Sequence, residues 1–60
     1  MIVILSTQTD KTTWKRENVD WVAIIKNDAG FPVLVVQEGP TRSNYFLIET
    51  LEECYIKEEE

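Results

Sequence analysis

The chain has 60 residues and a formal net charge of −5, with one cysteine and no histidine. A chain this short forms one domain (1–60) and buries only about 60% of the surface its unfolded form exposes. A single cysteine excludes an intrachain disulfide, and one thiolate without imidazole excludes a zinc clamp of the usual kind. The fold must therefore be economical, or the chain must associate.

Apolar residues make up 43% of the sequence, which is ordinary for a globular chain and does not indicate disorder. No apolar run approaches the ~18 residues of a membrane span. Met1–Leu5 is apolar but lacks the basic start and small-residue cleavage site of a signal peptide. A lone thiol with no targeting segment fits a reducing cytoplasm. The charge is uneven. Residues 1–48 carry five basic and five acidic side chains, whereas residues 49–60 carry Glu49, Glu52, Glu53, Glu58, Glu59 and Glu60 against Lys57 alone. The acidic end, 57–60, reads as frayed.

In chain order, Met1–Leu5 is β-branched, does not alternate in polarity and is bounded by Ser6-Thr7-Gln8-Thr9-Asp10. It reads as a first strand covered on both faces. Residues 6–18 read as a long polar loop, in which Thr12-Thr13-Trp14-Lys15 has the propensity of a short edge strand. Val19 to Lys26 and Phe31 to Gln37 form the second and third strands. Asn27-Asp28-Ala29-Gly30 lies between them as a hairpin turn, with Gly30 in the left-handed position. Two registers are open: a four-residue loop pairing Lys26 with Phe31, or a three-residue loop with a glycine bulge pairing Asn27 with Phe31. Pro32 requires an edge or a ladder site that needs no donor. A second turn at 38–43, broken by Gly39-Pro40, leads to a fourth strand at 44–49, completing a meander.

The last segment has two readings. Thr50-Leu51-Glu52-Glu53 matches a capping box, which would start a helix over 51–58 and make the fold α+β, four strands plus a helix. Alternatively one helical turn at 51–53 precedes a strand at 54–57. The second is preferred, because the glutamates of 58–60 would oppose a helix dipole at its C-terminus and because the first strand needs a partner. The resulting class is mainly β: a five-stranded small barrel similar in pattern to the SH3 type, or a β-meander sheet. No peptide-binding motif of the SH3 family is present.

The chemistry excluded is extensive. Without histidine, Ser-His-Asp and Cys-His arrangements cannot form within one chain. Only Gly30 and Gly39 exist, so there is no glycine-rich phosphate loop. The carboxylates of Glu52, Glu53 and Glu58–Glu60 cluster in sequence with no apolar pocket to separate their pKa values. Asp28-Ala29-Gly30 is a fragment of a calcium loop and reads as a plain turn. Cys54, between Glu53 and Tyr55, reads as a small semi-buried hydrophobe, with a redox or cross-linking thiol as the alternative, which the neighbouring carboxylates disfavour by raising the thiol pKa. No catalysis, cofactor or metal is expected.

Binding remains. Trp14 stands in a polar loop beside Lys15 and Arg16 and reads either as an interface anchor or as a lid on the core, and Trp21 reads as core. The acidic tail reads as a solubilising terminus, a docking element for a basic partner surface, or a nucleic-acid mimic. Both faces of the second and third strands carry apolar residues, which predicts a homodimer or a tight complex. The expectation is a non-catalytic cytoplasmic protein that binds a larger protein as inhibitor, adaptor or accessory subunit, a role that viral and mobile-element proteins often fill. The candidate site residues are Trp14, Lys15, Arg16, Tyr45, Glu52, Glu53, Glu58 and Glu59. The alternatives are a nucleic-acid binder using Trp14, Lys15, Arg16, Arg42 and Tyr45, which the overall acidity disfavours, and a structural homo-oligomer subunit. No membrane partner is expected.

Overall fold

A computed structural model of the protein describes residues 1–58. Six strands, β1 (Ile2–Thr7), β2 (Trp14–Arg16), β3 (Trp21–Lys26), β4 (Pro32–Glu38), β5 (Arg42–Leu47) and β6 (Leu51–Lys57), are joined by turns and a single 3₁₀ turn at Ile48–Thr50. They form two antiparallel three-stranded sheets, ordered β2-β1-β6 and β3-β4-β5. The fold is mainly β, and the second sheet is the meander read from the sequence. A closed barrel does not form. The first strand is already flanked on both sides, by β2 and β6, and the sheets meet through side chains instead of a shared ladder.

The core lies between the sheets. Val3 and Leu5 project from β1, Leu34 and Val36 from β4, and Val19 from the connection before β3. Met1, Trp14, Val22, Phe46, Ile48 and Leu51 close around them. The period of two places alternate residues on opposite faces. Val22, Leu34, Val36 and Phe46 thus point inward, while Val33, Val35 and Tyr45 point away from the core.

The hairpin register is the three-residue one. Asn27 N donates to Phe31 O at 3.0 Å, Gly30 N donates to Asn27 O at 2.9 Å, and Gly30 has φ +87°. The Asn27 Oδ1 accepts from Ala29 N and Phe31 N, each at 3.0 Å, so the turn's donors are satisfied locally. Because Asn27 and Phe31 are a hydrogen-bonded pair, the next pair, Lys26–Pro32, is not. Pro32 begins the central strand, and its missing N–H faces the side where β5 has already ended at Leu47.

Several boundaries move. The short strand in the long loop is Trp14–Arg16, and β3 starts at Trp21 instead of Val19, with Val19 buried ahead of it. The helical turn sits at Ile48–Thr50, not 51–53, and the rest of the segment, including Lys57 opposite Ile2, is strand. There is accordingly no helix at 51–58. Thr50 does not cap a helix start. It ends the turn, and its hydroxyl donates back to Leu47 O at 2.7 Å. The chain must cross from one sheet to the other at this corner, and packing Ile48 and Leu51 onto the core outweighs a local capping signal. No helix among the described residues is long and apolar enough to cross a membrane.

Candidate interaction surface

The face of the second sheet that points away from the core is built by three cross-strand rows. Trp21, Gln37 and Ser43 form one; Ala23, Val35 and Tyr45 the next; Ile25, Val33 and Leu47 the third. Phe31 extends the face at the hairpin end. None of these positions is charged. Gln37 and Ser43 are the polar pair that ends the face, and they satisfy each other: Ser43 Oγ donates to Gln37 Oε1 at 2.5 Å, and Gln37 Nε2 donates to Gly39 O at 2.7 Å.

Val33 and Val35 are buried, but neither belongs to the core between the sheets. Their cover comes from their cross-strand neighbours, which are themselves open to water: Tyr45 is 63% exposed, and Trp21, Ile25 and Phe31 are each close to half exposed. With ~200 Å² for a full large side chain, these residues and Leu47 present about 500 Å² of apolar surface. That matches the largest patches found on monomeric proteins, which are often functional, here on a molecule of 4441 Å² in total. Trp21, expected in the core, is therefore a surface residue. It occupies the outward position of β3, and no second layer among the described residues covers that face.

The candidate residues read from the sequence are dispersed. Trp14 is half-buried on the inner face of the first sheet, where it packs on Phe46. The Arg16 guanidinium lies 4.6 Å above the Trp14 ring centroid, and its Nε is 3.3 Å from Glu38 Oε1. Lys15 points to the opposite face and approaches Glu17 at 3.4 Å. Glu52 pairs with Lys11 at 2.8 Å, a contact that ties the long loop to β6 together with Gln8 N donating to Thr50 O at 2.8 Å. Glu53 is exposed opposite Ser6, Glu58 is exposed after β6, and Glu59 lies outside the described residues. Of the described members of the set, Tyr45 alone stands on the apolar face. Trp14 and Tyr45 are on opposite sides of the second sheet, so the aromatic and basic residues of the nucleic-acid alternative share no single platform. Trp21, Ile25, Phe31 and Leu47 were missed as site residues. The available signal was the apolar character of both alternating sets in β3.

Among the described residues, two groups are shifted from their ordinary range. The Asp10 carboxylate is lowered, chiefly by the Thr12 backbone N–H that donates to its Oδ1 at 2.9 Å and further by the Thr12 hydroxyl. The Cys54 thiol is raised by desolvation, not by adjacent carboxylates. Cys54, read from the sequence as semi-buried, is exposed: it stands opposite Leu5 at the rim of the core side of β6, whereas Glu53 and Tyr55 project from the other side. Comparison of the chain with family models, curated proteins and solved structures returns no match. A functional reading therefore comes from residues and geometry.

Proposed function

We propose that the chain is a non-catalytic cytoplasmic interaction protein that lays the outer face of β3-β4-β5 against a larger protein and acts by occupying its surface, as inhibitor, adaptor or accessory subunit. The observation that carries the reading is that uncharged sheet face, in which Trp21, Ile25, Phe31, Tyr45 and Leu47 surround the buried Val33 and Val35. Tryptophan and tyrosine are the residues enriched at binding hot spots, and here both stand on one uncharged apolar patch. The partner it suits is apolar and uncharged at its centre. Acidic side chains lie elsewhere, with Glu52 and Glu53 on β6 of the first sheet, where they can influence approach and orientation without being desolvated.

Affinity capture tests this reading. Wild-type protein recovers a partner from lysate; Tyr45→Arg, on an exposed position that leaves the core intact, loses it; and Lys15→Ala, on the other sheet, retains it. Capture unaffected by Tyr45→Arg and by Ile25→Arg would refute it.

A further inference from the structure

The edge of β3 carries a second feature, independent of what the outer face binds. Among the described residues β3 pairs with β4 only. Natural edges are blunted by shortness, charge or proline. Here β2 is three residues long, and β6 carries Glu52, Glu53 and Lys57. β3 reads Trp21-Val22-Ala23-Ile24-Ile25 without a charge until Lys26. Its inner side packs on the core at Val22 but is open at Ile24, which is 68% exposed beyond the reach of the first sheet, while Trp21 and Ile25 are exposed on the outer side. Its hydrogen-bonding phase follows from the turn. The Asn27–Phe31 pair is hydrogen-bonded, so the alternation of an antiparallel ladder turns Ile25, Ala23 and Trp21 toward β4 and leaves the N–H and C=O of Val22 and Ile24 directed outward.

We propose that two copies of the chain join through β3, antiparallel about a two-fold axis at Ala23. The segment is complementary to itself in that register. Ala23 faces Ala23 of the second copy at the narrow, non-hydrogen-bonded position, where Cα atoms approach to about 4.5 Å and a small side chain fits. Each Val22 meets Ile24 of the second copy and exchanges both backbone hydrogen bonds with it. Trp21 meets Ile25, and just before the strand exposed Asp20, whose own N–H is turned to Gln37 O, sets its carboxylate beside exposed Lys26 at both ends. This opposition of charge selects a second copy over an unrelated strand. Antiparallel pairing of the segment with itself cancels its only two charges, twice, and covers Ile24. The product is a continuous six-stranded sheet ordered β5-β4-β3-β3-β4-β5, with the apolar outer face doubled.

Sedimentation equilibrium on the full chain, over a concentration series at moderate salt, tests the arrangement. The expected mass is twice 7.0 kDa. Lys26→Glu sets like charges opposite each other at both ends and weakens the dimer by about tenfold, and Asp20→Lys does the same. The double variant Asp20→Lys/Lys26→Glu restores the wild-type dissociation constant to within about threefold. All three alter exposed side chains, and circular dichroism confirms that they fold. Ile24→Pro, which removes an outward N–H, gives a folded monomer. A wild-type monomer at every concentration, single variants without effect, or a double variant that fails to recover would overturn the proposal. So would a dimer that Tyr45→Arg dissolves and the charge variants do not, because the copies would then meet face to face. Each result is independent of whether Tyr45→Arg abolishes capture of another protein.

Discussion

Trp14 and Phe46 meet edge to face, with ring centroids 4.9 Å apart and planes inclined at 65°. One ring belongs to β2 of the first sheet and the other to β5 of the second. No backbone ladder joins these strands, so the aromatic contact links them directly, beside the aliphatic core that the two sheets share. Such pairs add about 0.5–1.5 kcal/mol beyond the apolar area they bury.

Trp14→Ala is expected to lower stability by about 3 kcal/mol, the low end for truncating a tryptophan because the residue is half-buried. A core of this size supplies only ~3–5 kcal/mol, so the variant is substantially unfolded at 25 °C. Trp14→Phe retains an aromatic contact and most of the stability. Urea denaturation followed by far-ultraviolet circular dichroism measures both. A Trp14→Ala variant as stable as wild type would show that the sheets hold without this ring pair.

Arg16 ties the same junction electrostatically. Its guanidinium stacks on Trp14 while its Nε faces Glu38, whose side chain is only 14% exposed and also accepts from Asn44 Nδ2 at 2.8 Å. Arg16→Ala is predicted to cost about 1 kcal/mol. Arg16→Lys recovers little of it, since an ammonium cannot stack and bridge at once. A double-mutant cycle with Trp14→Phe checks the coupling, and additive effects of the two changes would contradict it.

The hairpin turn depends on backbone conformation at Gly30. A Cβ at this position would meet no atom within 4 Å, but φ is +87°. Gly30→Ala should therefore cost about 1 kcal/mol through left-handed strain, and Gly30→Asn less, because asparagine tolerates that region. Equal stabilities in thermal melts of the two variants would indicate that the turn relaxes to another type.

Cys54 supplies a pH test. Desolvation raises its thiol, so the folded state retains the proton to higher pH than the unfolded state. The unfolded chain then binds fewer protons across the interval between the two pKa values. Stability is complete below the ordinary thiol range and falls as pH rises through it toward the folded value. Denaturation midpoints at pH 7 and in the alkaline range should show this decline, and Cys54→Ser should remove its share. Alkylation at pH 8 should be slower for the folded protein than in urea. Equal rates would contradict a desolvated thiol.

Much of the fold was legible because short β-branched runs separated by Asn-Asp-Ala-Gly and Gly-Pro leave few options other than a meander. The preference for a strand in the final segment also follows from the sequence, since the first strand required a partner and a helix would have ended in three glutamates. The exact corner was not legible. Thr50 followed by Glu53 is a valid local capping signal, and Ile48 and Leu51 overrule it by packing on a core assembled from residues distant in sequence. The candidate site was legible only in part. Trp14 drew notice because it is aromatic among polar neighbours, yet that isolation reflects a side chain crossing between sheets to Phe46. Trp21 looked like core because its neighbours are apolar.

From its residues alone, the chain is shown to lack imidazole, paired thiols and a phosphate loop, and its turns and β-branched runs dictate strands. Those properties depend on side-chain chemistry and on backbone preferences within a few residues. Tertiary structure decided which alternating set of the meander faces the core, which faces water, and which strand edge is left open. Both sets are apolar, so local pattern cannot distinguish them; only the position of the first sheet, covering Leu34 and Val36 and leaving Val33, Val35 and Tyr45 on the other side, breaks the tie.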